Sequence, residues 1–183
     1  MTTIAKLFVR AKHWYIFLAF IVFSLATAFL TGPDGAADMA IAGLATCIFM
    51  LFFVGWLWSM GRFLNSLLPD RLKLREGFFQ FACIYPLLYV PVFLALFVLS
   101  LRTNPSNIIF VFPFHLFAVF CMFYLLYFVS KSLVLVENGR AATFYEYAGP
   151  FFLLWFFPVG VWVTQPRINR LFAGTVKDSL AAG

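Results

Sequence analysis

Phe151-Phe-Leu-Leu-Trp-Phe-Phe-Pro-Val-Gly-Val-Trp-Val-Thr164, followed at once by Gln165-Pro166-Arg167-Ile168-Asn169-Arg170, decides how this chain is read. The stretch is an uncharged aromatic slab with a Pro-x-Gly break near its middle and a basic stop behind it. Crossing a membrane, it would carry the C-terminus to the far side; dipping in and returning, it would leave both termini on one side. Pro158 lacks a backbone donor and Gly160 weakens the turn that follows, so a reversal costs least there.

The surroundings make lipid the natural solvent. Of 183 residues 64% are apolar, 21% aromatic and only 11% charged, where a soluble domain carries about 25% charged residues. Mean hydropathy is +0.97. A water-soluble fold of this composition would expose large apolar patches. The formal charge of +6 comes from Lys and Arg that punctuate apolar runs, with no basic stripe of the kind that binds nucleic acid, so no nucleic-acid partner is expected. Cys47, Cys83 and Cys121 sit inside apolar runs without CxxC or His-paired spacing and read as small buried hydrophobes.

Four apolar runs precede the slab, at about 14–31, 39–60, 81–101 and 108–130, each long enough to cross roughly 30 Å of hydrocarbon. Basic residues before the first run and Ala26-Thr27-Ala28 within it resemble a secretory signal, but the run exceeds a usual signal core and reads as a retained span. Ahead of it, residues 1–13 carry Lys6, Arg10, Lys12 and His13 on an amphipathic lead-in. Thr31-Gly-Pro-Asp-Gly35 is a tight turn. Ala40, Gly43 and Cys47 recur at helical spacing on the second span, and Ser24, Ala28 and Thr31 offer a matching face on the first, which predicts a close hairpin of the two. Pro69-Asp70 opens a short surface element, and Pro86 and Pro91 bend the third span and free carbonyls. Asn138-Gly139 stops the fourth helix. Thr143 and Glu146 have capping-box spacing, so the slab is entered as a helix over about 147–164.

Lys and Arg placement orients the chain. Three lie in the N-terminal segment (Lys6, Arg10, Lys12), four in the second loop (Arg62, Arg71, Lys73, Arg75), two after the fourth span (Lys131, Arg140) and three in the tail (Arg167, Arg170, Lys177); Arg102 alone lies in the third turn. A re-entrant slab puts twelve on the cytoplasmic side and one outside; a crossing slab divides them nine and four. The expected fold is therefore an all-α integral membrane protein in one domain, residues 1–183. It has four transmembrane helices plus a C-terminal re-entrant segment, with a fifth short membrane helix as the alternative and the N-terminus cytoplasmic.

Chemistry is sparse. His115 is the one ionisable residue deep in an apolar run, a position usually kept for function. It could serve as a proton relay, quinone contact or haem ligand, or rest as an imidazole bonded to a proline-freed carbonyl. His13 lies at the opposite end of the first span, too far in depth to share an iron with it. Asp34 and Asp38 do not complete the aspartate-rich pattern of CDP-alcohol phosphotransferases, and HExxH, GxSxG and Walker A patterns are missing. No enzyme activity, metal or cofactor is expected. The aromatic side chains serve as lipid-facing bulk, or as a groove with Trp155 and Trp162 at its walls.

The last quarter of the chain, Thr143-Phe144-x-Glu146, then Phe152 to Trp162, then Gln165 to Asn169, resembles a group of small bacterial polytopic membrane proteins without assigned function. That resemblance implies a bacterial inner membrane and no activity. Three functions remain as expectations: a non-enzymatic membrane subunit or scaffold associating with itself or another membrane protein; a small channel or carrier along the third and fourth spans with His115 and Tyr89 facing the path; and a lipid- or quinone-binding module. Membrane lipids are partners in all three.

Overall fold

The computed structural model describes residues 3–30, 36–102 and 109–181, which form helices α1 (Thr3–Arg10), α2 (His13–Leu30), α3 (Ala36–Leu67), α4 (Glu76–Arg102), α5 (Phe112–Asn138), α6 (Phe144–Trp155) and α7 (Phe157–Ala181). No strand occurs among the described residues. Met39–Leu67, Glu76–Ser100 and Ile109–Asn138 are long and apolar enough to cross a membrane, and His13–Phe29 is a shorter apolar helix. The turns expected at 31–35 and 103–107 lie outside the described residues.

α3, α4 and α5 form an antiparallel sheaf. Gly61 of α3 faces the Phe79 ring of α4 so closely that a Cβ there would overlap it, and Phe79 stacks on Phe128 of α5 with centroids 4.0 Å apart. Nearby, Asn65 Nδ2 donates to the Leu74 carbonyl and to Glu76, while Asn65 Oδ1 accepts from the Leu74 N–H at 2.9 Å, fixing the loop between α3 and α4. A 3-10 turn at Asp70–Leu72 follows Pro69, as the sequence predicts. Arg62, Glu76, Glu137 and Arg140 mark this pole, called here the basic end.

α5 stops at Gly139, whose φ of 63° is open to glycine and whose N–H bonds Leu135 O at 3.0 Å. Glu146 then seals the start of α6: its carboxylate accepts from the Thr143 N–H at 2.7 Å and from Arg140 Nη2 at 2.5 Å. α6 runs away from the basic end along α5, with Tyr147 against Tyr127 and Trp155 against Phe123. It ends at Phe156, one residue that closes α6 through its N–H on Phe152 O and opens α7 by accepting from Val159 and Gly160. Pro158 falls in the first turn of α7, where its missing donor is harmless. A Cβ on Gly160 would overlap the Leu153 carbonyl, so the two helices meet backbone to backbone.

α7 returns toward the basic end. Phe157 sits edge-on to Phe53 (5.0 Å) and Trp56 (5.1 Å), Gln165 bonds Trp56, and Phe172 meets Phe63 at 5.6 Å. Phe53 is midway along Met39–Leu67, so the reversal lies at half the depth of the sheaf. The buried core occupies the same half, from Val54 to Leu68, Cys121 to Leu135 and Leu154 to Ile168. Beyond the reversal α4 and α5 lose their neighbour and become largely exposed.

Among the described residues, which leave out Thr31, the close pairing of α2 with α3 through small residues is not found. Gly43 faces Leu94 of α4, 3.7 Å from where a Cβ would lie, and a cleft of about 390 Å³ bordered by Ser24 and Thr46 separates α2 from α3. The two helices meet through rings instead, Phe20 and Phe23 against Phe49.

Candidate functional site

The early stop of α6 creates a cavity. Where the hairpin of α6 and α7 ends, an open, almost wholly apolar cleft of about 300 Å³ remains, bordered by Phe53 of α3, Pro86 and Tyr89 of α4, His115 and Met122 of α5, and Trp155 of α6. This is near the lower end of small-molecule pocket sizes. Tyr89, His115 and Trp155, expected as site candidates, thus share one cleft.

Tyr89 and His115 are brought together by the antiparallel crossing of α4 and α5. Tyr89 Oη lies 3.2 Å from His115 Nδ1, and Tyr85, one turn earlier, donates to the Phe114 carbonyl at 3.2 Å. His115 therefore pairs with a tyrosine, and the expected bond to a proline-freed carbonyl is not what satisfies it. The rings of Tyr85, Tyr89 and Phe93 stack along α4 at about 3.6-residue intervals, and His115 also packs 5.3 Å from Phe93. A second apolar hollow of about 510 Å³, bordered by Phe93, Phe97, Ile109 and Phe112, begins on the other side of His115.

Chemically, the pair always offers one donor. If Tyr89 donates to Nδ1, the imidazole carries its proton on Nε2; if Nδ1–H donates to Tyr89, the phenol hydrogen is free. Either way one hydrogen-bond donor stands in apolar surroundings. Among the described residues no group of three or more His, Cys, Asp or Glu is placed to hold a metal ion.

Trp162 is elsewhere. It packs on His13 (4.7 Å) and Phe17 (5.5 Å) of α2, on the face of α7 away from the cleft, so Trp155 and Trp162 do not wall one groove.

A second polar constellation holds the hairpin and was not foreseen. The chain breaks between α1 and α2, which leaves the last carbonyls of α1 without helical partners. Gln165, fully buried, donates through Nε2 to Phe8 O and Ala11 O, both at 3.0 Å, while its Oε1 accepts from Trp56 Nε1 at 3.0 Å. Asn169, one turn on, donates to Ala11 O at 3.1 Å. α1 is thereby docked, with Val9 buried and Phe8 against Phe52 and Gly55. Sequence hinted at this only through an isolated Gln and Asn beside apolar residues, since Trp56 and Gln165 are 109 positions apart. No protein-family model, curated protein or solved structure matches the chain.

Proposed function

We propose that the chain is an integral membrane module that holds a lipid-soluble, amphipathic ligand in the cleft above a re-entrant C-terminal hairpin. The observation that supports it is the placement of the Tyr89–His115 pair in an otherwise apolar cleft floored by Trp155. A donor in such surroundings favours a ligand with a hydrogen-bond acceptor on an apolar body, such as the carbonyl of a quinone or of an acyl ester. A path for ions or polar solutes needs several converging polar groups; here Tyr85 is spent on the Phe114 carbonyl and the Tyr89–His115 pair keeps a single donor. The binding-module reading is therefore preferred to a channel and to a pure scaffold.

In this proposal α2 to α5 span the bilayer, α6 enters from the basic side, and α7 leaves by the same side. α6 has 12 residues, about 18 Å of rise, which is just over half of the hydrocarbon thickness. Its irregular turn at Phe156 is tolerable at that depth because Phe53 and Trp56 shield it through Phe157. The basic end is cytoplasmic by its Lys and Arg content.

The test is photo-crosslinking of the purified protein in lipid nanodiscs with an azido-quinone and with a diazirine acyl lipid. Labelling concentrated on α4 and α5 peptides around Tyr89 and His115, kept in His115→Gln, which retains a donor, and reduced in a Tyr89→Phe/His115→Phe variant, is expected. Labelling spread evenly over all lipid-facing helices would overturn the proposal.

A further inference from the structure

We infer that the corner where α1 meets α7 is a docking site for the headgroups of anionic phospholipids. It is independent of the cleft. Four exposed cations belong to the elements that meet there: Lys6 and Arg10, one turn apart on α1, Lys12 in the break that follows, and Arg170 of α7. Arg170 is brought to α1 by its neighbour Asn169, which bonds the Ala11 carbonyl. Its own Nε turns back to Pro166 O at 3.4 Å, and the residue is exposed.

No described carboxylate balances them. Among the described side chains, Asp70, Glu76, Glu137 and Glu146 are each committed to another cation, namely Lys73, Arg62, Arg167 and Arg140. Among the described side chains the corner therefore presents four positive charges without an acidic partner, two of them on a helix whose opposite side is fixed to the protein by buried Val9 and by Gln165. A patch that cannot move away from its position concentrates charge more effectively than a free basic tail.

The apolar surroundings choose a lipid over a soluble anion. Leu7, between Lys6 and the Phe8 contact, is 68% exposed, and Trp14 and Tyr15, stacked at 4.2 Å, are exposed just past Lys12. Trp162 is half exposed beside His13. Trp and Tyr at this spacing below a ring of Lys and Arg match the headgroup level of a bilayer, where phosphates lie above and acyl chains below. An anionic lipid satisfies both parts at once; a free phosphate satisfies only the cations.

The experiment uses the full chain in phosphatidylcholine vesicles, with spin-labelled phosphatidylglycerol and phosphatidylcholine as probes and electron spin resonance reporting the preference for the anionic lipid. Each juxtamembrane cation is worth about fivefold in such attraction. Lys6→Gln/Arg10→Gln/Arg170→Gln is expected to lower the preference by up to about a hundredfold, and Arg10→Lys/Arg170→Lys to retain it. The bonds from Gln165 and Asn169 go to backbone carbonyls, so these exchanges leave the docking of α1 in place, and an unchanged melting curve verifies that. Arg71→Gln/Arg75→Gln, in the loop before α4, is expected to change the preference little. Wild-type preference in the triple variant, or an equal loss in the loop variant, would overturn the inference. So would removal of the preference by inorganic phosphate at an ionic strength where chloride leaves it intact.

Discussion

Replacing Gln165 by Leu is expected to release α1 from the bundle while the sheaf of α3, α4 and α5 stays folded. The substitution keeps the side chain's bulk and removes its polar atoms. Two groups then lose their side-chain partner, the Trp56 Nε1–H and the Phe8 carbonyl, while the Ala11 carbonyl keeps the bond from Asn169. At about 1–3 kcal/mol for each of these two unsatisfied groups, the native arrangement is weakened by about 2–6 kcal/mol. The chain can avoid part of that penalty by letting α1 swing out, so the docking energy of α1 sets the ceiling on the observed loss. The assay is thiol labelling of a Val9→Cys probe in a background free of Cys47, Cys83 and Cys121. Val9 is fully buried, so the probe is silent in the parent and labelled in Gln165→Leu. Gln165→Glu separates the two halves of the interaction, because it keeps an acceptor for Trp56 and sets a negative charge against the α1 carbonyls; it is expected to label at least as fast. A silent Val9→Cys probe in Gln165→Leu, with an unaltered melting temperature, would refute the role given to this residue.

Gly160→Ala is expected to prevent closure of the hairpin, because its Cβ would overlap the Leu153 carbonyl, whereas Gly149→Ala and Gly174→Ala, with open space around them, leave yield and melting temperature unchanged. Gly61→Ala displaces the Phe79 ring and with it the stack on Phe128, so it is expected to lower the melting temperature in detergent more than Gly43→Ala, which meets only Leu94 at ordinary contact distance. The Glu146 carboxyl is held down to about 2 from 4.5 by the Thr143 N–H, the Arg140 guanidinium and the Thr143 hydroxyl. A depressed carboxylate stabilises the fold fully above its unfolded value and loses that contribution as pH falls through its folded value. Amide-exchange protection at the start of α6 is therefore expected to hold down to about pH 4.5 and to disappear near pH 2, with Glu146→Gln removing this dependence; a midpoint at the ordinary carboxylate value would contradict it.

Much of the architecture was legible where a residue's chemistry acts locally. Gly139 and Glu146 operate within a few positions of themselves and the helix ends fall where they indicate, whereas the break expected at Pro158–Gly160 falls at Phe156, with Pro158 taken into the first turn of α7. Boundaries were less so: α3 continues to Leu67, past the expected end at 60, because Asn65 and the buried Leu64 and Leu68 draw it into the core at the basic end. Helix orientation was not legible. A segment that is apolar on every face has no phase to indicate which side meets which neighbour, so the small residues of α3 were assigned to α2 when Gly43 turns to α4. The cleft escaped for a related reason, since it depends on α6 ending opposite Phe123, a relation between elements that no local spacing carries. Tyr89 and His115 could be singled out as polar residues in apolar runs, but their contact comes from the crossing of two helices.

The most direct test of the re-entrant hairpin is sidedness of single cysteine probes at positions Thr2, Asn107 and Ser179 in the cysteine-free background, labelled in sealed membranes with an impermeant reagent. The proposed re-entrant topology would leave both termini on one side, so Thr2 and Ser179 are expected to be protected together while Asn107 is labelled from outside. Labelling of Ser179 together with Asn107, with Thr2 protected, would mean that the C-terminal segment crosses the membrane and would contradict the account.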